Sequence, residues 1–392
     1  MKRPDSEELC RQLVRLAMDA EDRAGIAGVL EAADGAVWES ALRTLVHHGM
    51  LPLIAHRLRE ESLESLAPPH LVAGLRKSHR NTLLRNQRYA SCLAGVVALL
   101  REQGIEPMLW KGIVVMDRAW PDEGARIVGD LDLFIEPDEM AAAAETLVGA
   151  GFCELPKFRE SSGTYVNPEG ISVDLQYKGN GHGKWASDPS VLKSVTQSYS
   201  PKYIPVSNLT SLEPAAIFAG LACHLARHDS DGSSQGIHLR WLMDLHYIMR
   251  RWGKAFDTER IVFLVDTNLG LALLMRALGF FCGEMGVRYE GCEPMLNLAE
   301  HFKPYSFAEI LRSRRLGVWS LPTAEYGWLY FFAHCLGLRR KSGLAVPPLS
   351  DFTGILPDQM RKWGMTRRAA TLRVRASATA YPGPNSKKSG KR

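Results

Sequence analysis

The hydrophobic positions of the first sixty residues recur at a spacing of three and four, which predicts amphipathic helices. The segments EELCRQLVRLAM and WESALRTLVHHGMLPLIAHRL both show this spacing. After a break at APPH, the pattern predicts one long helix with a polar face from Pro69 to about Gln103, closed by Gly104. Residues 1–103 are therefore expected to form a helical N-terminal region.

The pattern changes between residues 104 and 185, where short apolar runs and alternating runs replace the helical period. IEPMLW and GDLDLFIE predict strands, and GIVVMDRAW between them predicts a short helix that ends before Pro121. PDEMAAAAETLVGAG, with proline at its start, acids in its first turn and glycine at its end, predicts a further helix. GTYVNPEGISVDLQYK predicts a hairpin around the turn NPEG. This segment is expected to form a small mixed-sheet core.

The remainder of the chain returns to helical spacing. Residues 205–345 are predicted to be a helical C-terminal domain, and residues 346–392, rich in proline, glycine, serine and basic residues, a mostly disordered basic tail. The fold class expected from the whole pattern is α+β, with a helical N-terminal region, a small mixed-sheet core and a helical C-terminal region.

The net charge of +5 comes from the end of the chain. Residues 361–392 contain ten Lys or Arg and no acid, and without them 38 basic residues stand against 43 acidic ones. A folded basic face of the kind that binds nucleic acid is therefore not expected, and nucleic acid is an unlikely partner by this criterion. The basic residues are typical of a solvated, disordered end.

The spacing of the cysteines and the length of the apolar stretches indicate the cellular compartment in which the protein is expected. Seven cysteines are scattered without a CxxC spacing, which is typical of a reducing cytoplasm rather than of a disulfide framework or a zinc site. The N-terminus MKRPDSEELC has no apolar signal region, and the most apolar stretch is interrupted by Asp266 and Arg276. A cytoplasmic protein without a transmembrane segment is expected.

Asp130 and Asp132 stand out because they lie in an otherwise apolar strand. Residues two apart on a strand point to the same face, so the two carboxylates project together and repel unless a cation neutralises them. Mg²⁺ or Mn²⁺ bound to oxygen ligands does so, and Asp174, in the apolar run ISVDLQYK, offers a third carboxylate on a neighbouring strand. Taken alone, an Asp-x-Asp pair is also common on a solvated strand face.

Residues upstream favour a phosphate substrate at these carboxylates. Lys111 and Gly112 lie at a strand-to-helix junction, where glycine lets the backbone approach a phosphate. Arg126, four residues before Asp130, is placed either to reach a triphosphate or to brace a carboxylate. The combination predicts a site that binds a phosphate-bearing substrate together with a divalent metal ion.

This set of residues resembles the nucleotidyltransferase superfamily that includes DNA polymerase beta-like and antibiotic nucleotidyltransferase folds, and more closely its uncharacterised nucleotidyltransferase family proteins. That family has an apolar strand ending in Lys-Gly, an Arg before Asp-x-Asp, and Asp-Leu-His on a later strand. Here Lys111, Gly112, Arg126, Asp130 and Asp132 match, and Asp174 begins the last element. Gln176 stands where the family usually has histidine.

The resemblance continues in the helical region as far as about residue 250. The family has a His-x-x-x-His helix followed by Leu-Arg-Trp-Leu-x-Asp; the matching positions here are His224, His228, Arg240, Trp241 and Asp244. A zinc protease would need HExxH, and position 225 is leucine. The two histidines are interpreted as structural or as lining the active-site cleft, and Arg240 and Asp244, four apart, as a possible pair on one helix.

The function expected is a metal-dependent nucleotidyltransferase that moves an NMP from an NTP to a hydroxyl of a small molecule, peptide or protein and releases pyrophosphate. Asp130, Asp132 and Asp174 are the predicted catalytic and metal residues, and Lys111, Gly112 and Arg126 the predicted nucleotide-binding residues. Two alternatives stay open: a non-catalytic NTP-binding module, favoured by Gln176, and addition of nucleotides to RNA.

Overall fold

The N-terminal helices follow the hydrophobic spacing of the sequence. The computed structural model describes residues 3–155, 162–177, 183–230, 237–265 and 268–315, with side chains except at 227–230, 268–269 and 312–315. Asp5, Asp22 and Asp34 each accept a backbone N–H at a helix start, which satisfies donors that the first turn leaves unpaired. The first four helices are α1 (Ser6–Ala17), α2 (Arg23–Ala32), α3 (Gly35–His47) and α4 (Leu51–Glu60).

A fifth helix, α5 (Pro69–Glu102), has 34 residues and packs along α4. At a rise of about 1.5 Å per residue it is roughly 50 Å long. It begins with proline, which lacks the N–H that a first turn cannot use, and the chain leaves it through Gly104 at φ +77°. The predicted bounds of this helix are confirmed to within one residue.

The described residues form one mixed sheet of seven strands, which confirms the α+β class. Two pairs of neighbours, β2–β5 and β1–β7, run parallel, and the other neighbours run antiparallel. The spatial order is β3-β4-β5-β2-β1-β7-β6. In chain order the strands are β1 (Met108–Leu109), β2 (Leu131–Phe134), β3 (Cys153–Glu154), β4 (Ser162–Val166), β5 (Ser172–Gln176), β6 (Thr196–Tyr199) and β7 (Leu209–Leu212).

The predicted hairpin is confirmed as the antiparallel pair β4–β5. The sequence did not predict β6 and β7, which lie beyond the expected end of the sheet core at residue 185. The runs TQSY and LTSL are four residues long and together contain five Thr, Ser or Gln residues, so neither has a clear strand period. Ser211 is nevertheless fully buried, and β7 continues the sheet beside β1. The helices of the C-terminal part therefore begin at Pro214 rather than near residue 205.

The remaining helices flank the sheet connections and form the C-terminal part. Helix α6 (Ile113–Ala119) follows β1 and α7 (Met140–Gly149) follows β2, as predicted. The end of the predicted helical C-terminal domain, residues 316–345, and the predicted basic tail, 346–392, lie outside the described residues. The other helices are α8 (Pro189–Val195), α9 (Pro214–Ser230), α10 (Leu239–Trp252), α11 (Thr258–Leu264), α12 (Asn268–Gly279), α13 (Glu293–Ala299) and α14 (Phe307–Arg315).

One continuous hydrophobic core runs under the sheet and the helices. It contains Trp110 from the end of β1, Leu133 from β2 and Leu175 from β5, all fully buried. The described residues, Ser230 excepted, belong to one compact unit. Within the described part of the chain, no helix combines the length and the apolar character that crossing a membrane requires.

Candidate active site

Strand register brings the three predicted aspartates together. In the parallel pair β2–β5, Asp132 lies directly opposite Asp174, with Leu131 opposite Val173 and Leu133 opposite Leu175. The leucine and valine side chains point into the core, so the aspartates point to the other face of the sheet. Asp130, immediately before β2, points to the same face as Asp132. One carboxylate oxygen from each aspartate lies within 4.8 Å of the other two.

Asp132 is the most deeply buried of the three, at 1% exposure. Its Oδ1 accepts the Lys111 ammonium at 2.8 Å and the Gln176 amide at 3.1 Å. Its Oδ2 is also buried and has no hydrogen-bond partner among the described residues. Burial and the neighbouring Asp130 charge raise the pKa of Asp132 to about 7, against the opposing attraction of Lys111. The cluster therefore holds a partly neutralised carboxylate with one oxygen still able to accept a ligand.

Asp174 is half-buried and belongs to the same electrostatic group. Burial raises its pKa, a hydrogen bond from Thr164 on the adjacent strand lowers it, and the charge of Asp130 raises it again. The net direction is upward. A carboxylate with a raised pKa is a stronger proton acceptor than an ordinary aspartate, which suits it to general-base chemistry.

Lys111 and Gly112 form the turn between β1 and α6. Gly112 has φ +58° and ψ −107°, a backbone conformation that side chains with a Cβ rarely adopt. A Cβ at this position would lie 3.4 Å from the Asp130 carbonyl oxygen and 3.7 Å from Asp132 Oδ2. Glycine thus leaves open the space directly beside the carboxylate oxygen that has no partner.

Arg126 lies in the loop between α6 and β2 and is buried against α10. Its Nε and Nη2 donate to Asp244 Oδ1 and Oδ2, each at 2.7 Å, and the Trp120 indole donates to the same Oδ1 at 2.8 Å. Burial by itself lowers the pKa of Arg126. The negative charges of Asp244, and then of Asp130 and Asp132, outweigh burial and raise this pKa overall. Of the two roles open to Arg126 from sequence, this geometry favours bracing a carboxylate, and the carboxylate is Asp244.

The other predicted cleft residues lie on α9 and α10. The ring of His224 is buried between two indoles, with centroids 6.4 Å from Trp110 and 5.8 Å from Trp241. Arg240 Nη1 lies 3.4 Å from the Ile127 carbonyl oxygen, so α10 contacts the same loop through Arg240 as through Asp244. The side chain of His228 lies outside the described residues. The spacing of Arg240 and Asp244 allows a pair on one helix, but in the structure Asp244 faces Arg126.

Asn86 on α5 holds the loop and was not found from sequence. It is fully buried; its amide nitrogen donates to the carbonyls of Glu123 and Arg126, each at 2.6 Å, and its Oδ1 accepts the Val128 N–H at 3.2 Å. Tyr89, one turn along, donates to the Gly129 carbonyl at 3.0 Å. The signal was available, because Asn86 falls on the three-and-four stripe of buried positions of α5, where a polar residue needs partners.

The chain belongs to the family of uncharacterised nucleotidyltransferases. Residues 34–282, well over half of the chain, match this family, and the match contains every site residue described above. Membership supports nucleotidyl transfer as the general activity and NTP as the general substrate. No curated protein is similar enough to the chain to be matched with it.

Proposed function

We propose that this protein is a Mg²⁺- or Mn²⁺-dependent nucleotidyltransferase that moves an NMP from an NTP to a hydroxyl of a small-molecule, peptide or protein acceptor. The observation that carries the proposal is the register of β2 and β5, which sets Asp132 opposite Asp174 with Asp130 beside them. Three carboxylates in one group, in a chain of a nucleotidyltransferase family, match the ligand chemistry of metal-assisted phosphoryl transfer.

The donor set fits a hard divalent cation. All three groups offer carboxylate oxygens, which Mg²⁺ and Mn²⁺ prefer, and Asp132 Oδ2 is buried without a hydrogen-bond partner among the described residues. Like charges this close are otherwise costly. Asp130 and Asp132 would hold the ion that binds the NTP phosphates, and Asp174 a second one. When bound, the ions would offset the charge of the carboxylates and of the phosphates.

The residues of the chain then have separate tasks. The acceptor hydroxyl oxygen forms a bond to the α-phosphorus, the bond from that phosphorus to the bridging oxygen breaks, and pyrophosphate leaves. The hydroxyl proton passes to Asp174, or to a base that Asp174 orients. Lys111 holds Asp132 in place and contributes positive charge beside the phosphates, and Gly112 lets them approach the backbone.

Arg126 supports this site indirectly. Its pair with Asp244 fixes the loop that leads into Asp130, and Asn86 fixes the same loop from α5. Arg240 on α10 contacts the same loop at the Ile127 carbonyl oxygen, and we place Arg240, with His224 and His228 of α9, at the wall of the cleft where the acceptor binds. Asp244, which also belongs to the set expected from sequence, holds Arg126 behind that wall.

The test is nucleotide transfer by the full chain with a panel of NTPs and Mg²⁺ or Mn²⁺. Pyrophosphate release and label on protein, peptide or small-molecule acceptors are measured in parallel. The double variant Asp130→Ala, Asp132→Ala is expected to lose turnover completely. Asp138→Asn, an exposed acid just beyond the same strand, is the matched control and should keep wild-type turnover. Wild-type turnover in the double variant contradicts the proposal.

The same assay separates the alternatives. Label on RNA, reduced by removal of residues 361–392, would indicate a nucleic-acid-directed enzyme. Metal-dependent NTP binding in calorimetry, with no product after hours, would indicate a non-catalytic NTP-binding module. Mg²⁺ with NTP is expected to raise the melting temperature of the wild type and not of the double variant.

A further inference from the structure

A second group of metal-ligating side chains lies outside the aspartate cluster. His56 on α4, His79 on α5 and Asp122 in the loop between α6 and β2 each offer a ligand atom, and the three atoms lie within 4.8 Å of one another. His79 Nε2 and Asp122 Oδ1 are 2.5 Å apart and share a hydrogen bond. The two imidazole rings are nearly parallel, with centroids 6.0 Å apart.

His56 is the member of this group that protein contacts do not satisfy. Both of its ring nitrogens are buried and have no hydrogen-bond partner among the described residues. The carboxylate of Glu60 comes nearest, with Oε2 at 3.5 Å from Nε2, and it is shared with Arg57. A buried imidazole normally finds a partner, because leaving its nitrogens unpaired forfeits the hydrogen bonds it makes in water.

The surroundings of Asp122 and His79 are built for close approach. The Gly124 N–H donates to Asp122 Oδ1 at 2.8 Å, which orients that carboxylate. A Cβ on Gly124 would lie 2.7 Å from His79 Nε2, so a larger residue at this position would require the imidazole or the loop to shift. His79 itself is nine-tenths buried.

We propose that His56, His79 and Asp122 bind one Zn²⁺ ion that ties α4, α5 and the α6–β2 loop together. Two imidazole nitrogens and one carboxylate oxygen are ligands that zinc prefers, whereas Mg²⁺ prefers the all-oxygen set of the aspartate cluster. The ion takes the place of the proton that His79 and Asp122 share. Tetrahedral bond lengths of about 2.0–2.2 Å set two such ligand atoms roughly 3.3 Å apart, so a small side-chain rotation suffices.

The fourth position is left to water, since a third of the Asp122 side chain is exposed, or to Glu60 after a rotamer change. The proposed role of the zinc ion is to position the α6–β2 loop. Asp122 lies four residues before Arg126 in the loop that Asn86 holds from the same helix as His79. A metal ion at this point fixes the loop of the aspartate cluster to the N-terminal helices. This inference does not depend on the proposed transfer reaction.

The experiment is a zinc titration of the full chain against a competing chelator, with metal content measured after desalting. It is run on the wild type and on Asp130→Asn, Asp132→Asn, which removes the acidic site. Both proteins are expected to retain one zinc per chain, and a large excess of Mg²⁺ should not displace it. If neither retains zinc at micromolar concentration, the proposal is overturned whatever the ligand variants do.

Ligand variants then locate the ion. His56→Asn and His79→Asn should each bind zinc at least about 100-fold more weakly, since even an outer-shell change costs 10–100-fold. His70→Asn, on the same helix as His79 but exposed, is the matched control and should bind as the wild type does. Equal affinity in all three variants, each shown to be folded by circular dichroism, contradicts the assignment. Added zinc should raise the melting temperature of the wild type and of His70→Asn, but not of His56→Asn or His79→Asn.

Discussion

Arg126 and Asp244 form a buried two-pronged ion pair that joins the loop before β2 to helix α10, 118 residues further along the chain. Both side chains are almost fully buried, so removal of either leaves the other charge without a partner. We expect Arg126→Met and Asp244→Leu each to lower the free energy of unfolding by about 3–5 kcal/mol, and the double variant by less than the sum. Urea unfolding of the four proteins measures this coupling.

An exposed ion pair provides the control. Arg260 and Glu213 lie 2.7 Å apart with 43% and 25% of their side chains exposed. Arg260→Met should therefore change stability by no more than about 1 kcal/mol. If the double variant of Arg126 and Asp244 instead loses the sum of the two single losses in free energy of unfolding, the two residues act independently. Transfer activity should fall with either single variant, because the loop also positions Asp130.

Gly112 is expected to matter for the reaction beyond its backbone conformation. Alanine at this position brings a Cβ to 3.7 Å from Asp132 Oδ2, into the space we assign to the metal ion and the phosphates. Gly112→Ala should lower transfer by at least about 100-fold, a loss near 3 kcal/mol of transition-state stabilisation. Steady-state kinetics, together with NTP binding by calorimetry, measures it.

Gly104→Ala separates strain from access to the site. Gly104 also has positive φ, at +77°, but nothing lies within 4 Å of a Cβ placed there. Gly104→Ala should lose stability of the order of 1–2 kcal/mol, and Gly112→Ala at least as much, because its ψ of −107° lies outside the left-handed helical region. Only Gly112→Ala should lose transfer; equal activity in the two would place Gly112 outside the site.

The raised pKa of Asp132, about 7, predicts a pH dependence of stability in EDTA. Between the unfolded value of about 3.9 and about 7, the folded protein keeps a proton that the unfolded chain releases. The free energy of unfolding should therefore fall as pH rises through this window. Asp132→Asn lacks this titration. Between about pH 5 and pH 8, its free energy of unfolding should therefore fall by roughly 1–3 kcal/mol less than that of the wild type.

Denaturant unfolding at several pH values, with EDTA present, provides this measurement. The exposed Asp138→Asn should follow the wild-type pH dependence. An identical dependence in Asp132→Asn would mean that the carboxylate titrates as an ordinary aspartate and that the cluster imposes no charge conflict.

Gln176 donates to Asp132 Oδ1 from the position where the sequence resemblance leads us to expect histidine. An imidazole N–H can make the same donation, so Gln176→His should keep transfer within about tenfold of wild type. Gln176→Glu, which adds a carboxylate beside Asp132 and removes the donor, should lower both transfer and metal affinity at neutral pH. Activity that appears only in Gln176→His would instead indicate that the natural chain binds NTP without turnover.

The meeting of the three aspartates could be predicted because it follows from local rules. Alternation on a strand fixes the face of Asp130 and Asp132, and one apolar hairpin placed Asp174 on a neighbouring strand with the same face. The contact between Lys111 and Asp132 was not predicted, since sequence spacing assigned Lys111 to the phosphates. It depends on how the β1–α6 turn lies over β2, which is a tertiary property.

Contacts between residues far apart in the sequence could not be predicted from local sequence patterns. Asn86 is separated from the backbone groups that it bonds by about forty residues, and Arg126 from Asp244 by more than a hundred. Neither spacing has a period that a sequence pattern can show. The strand β7 was missed for a related reason: its four residues gain their stability from pairing with β1, not from any propensity of their own.

The position of β1 has a practical consequence for anyone who trims this protein. The strand has only two residues and lies between β2 and β7, so its backbone groups on one side are paired by a segment a hundred residues later. A fragment that stops at residue 185 keeps all three aspartates yet opens an unpaired strand edge at the centre of the sheet, which invites association with other chains. The smallest piece able to fold with this site intact must include β7, and it must also include helix α10, because Asp244 on that helix is the buried partner of Arg126.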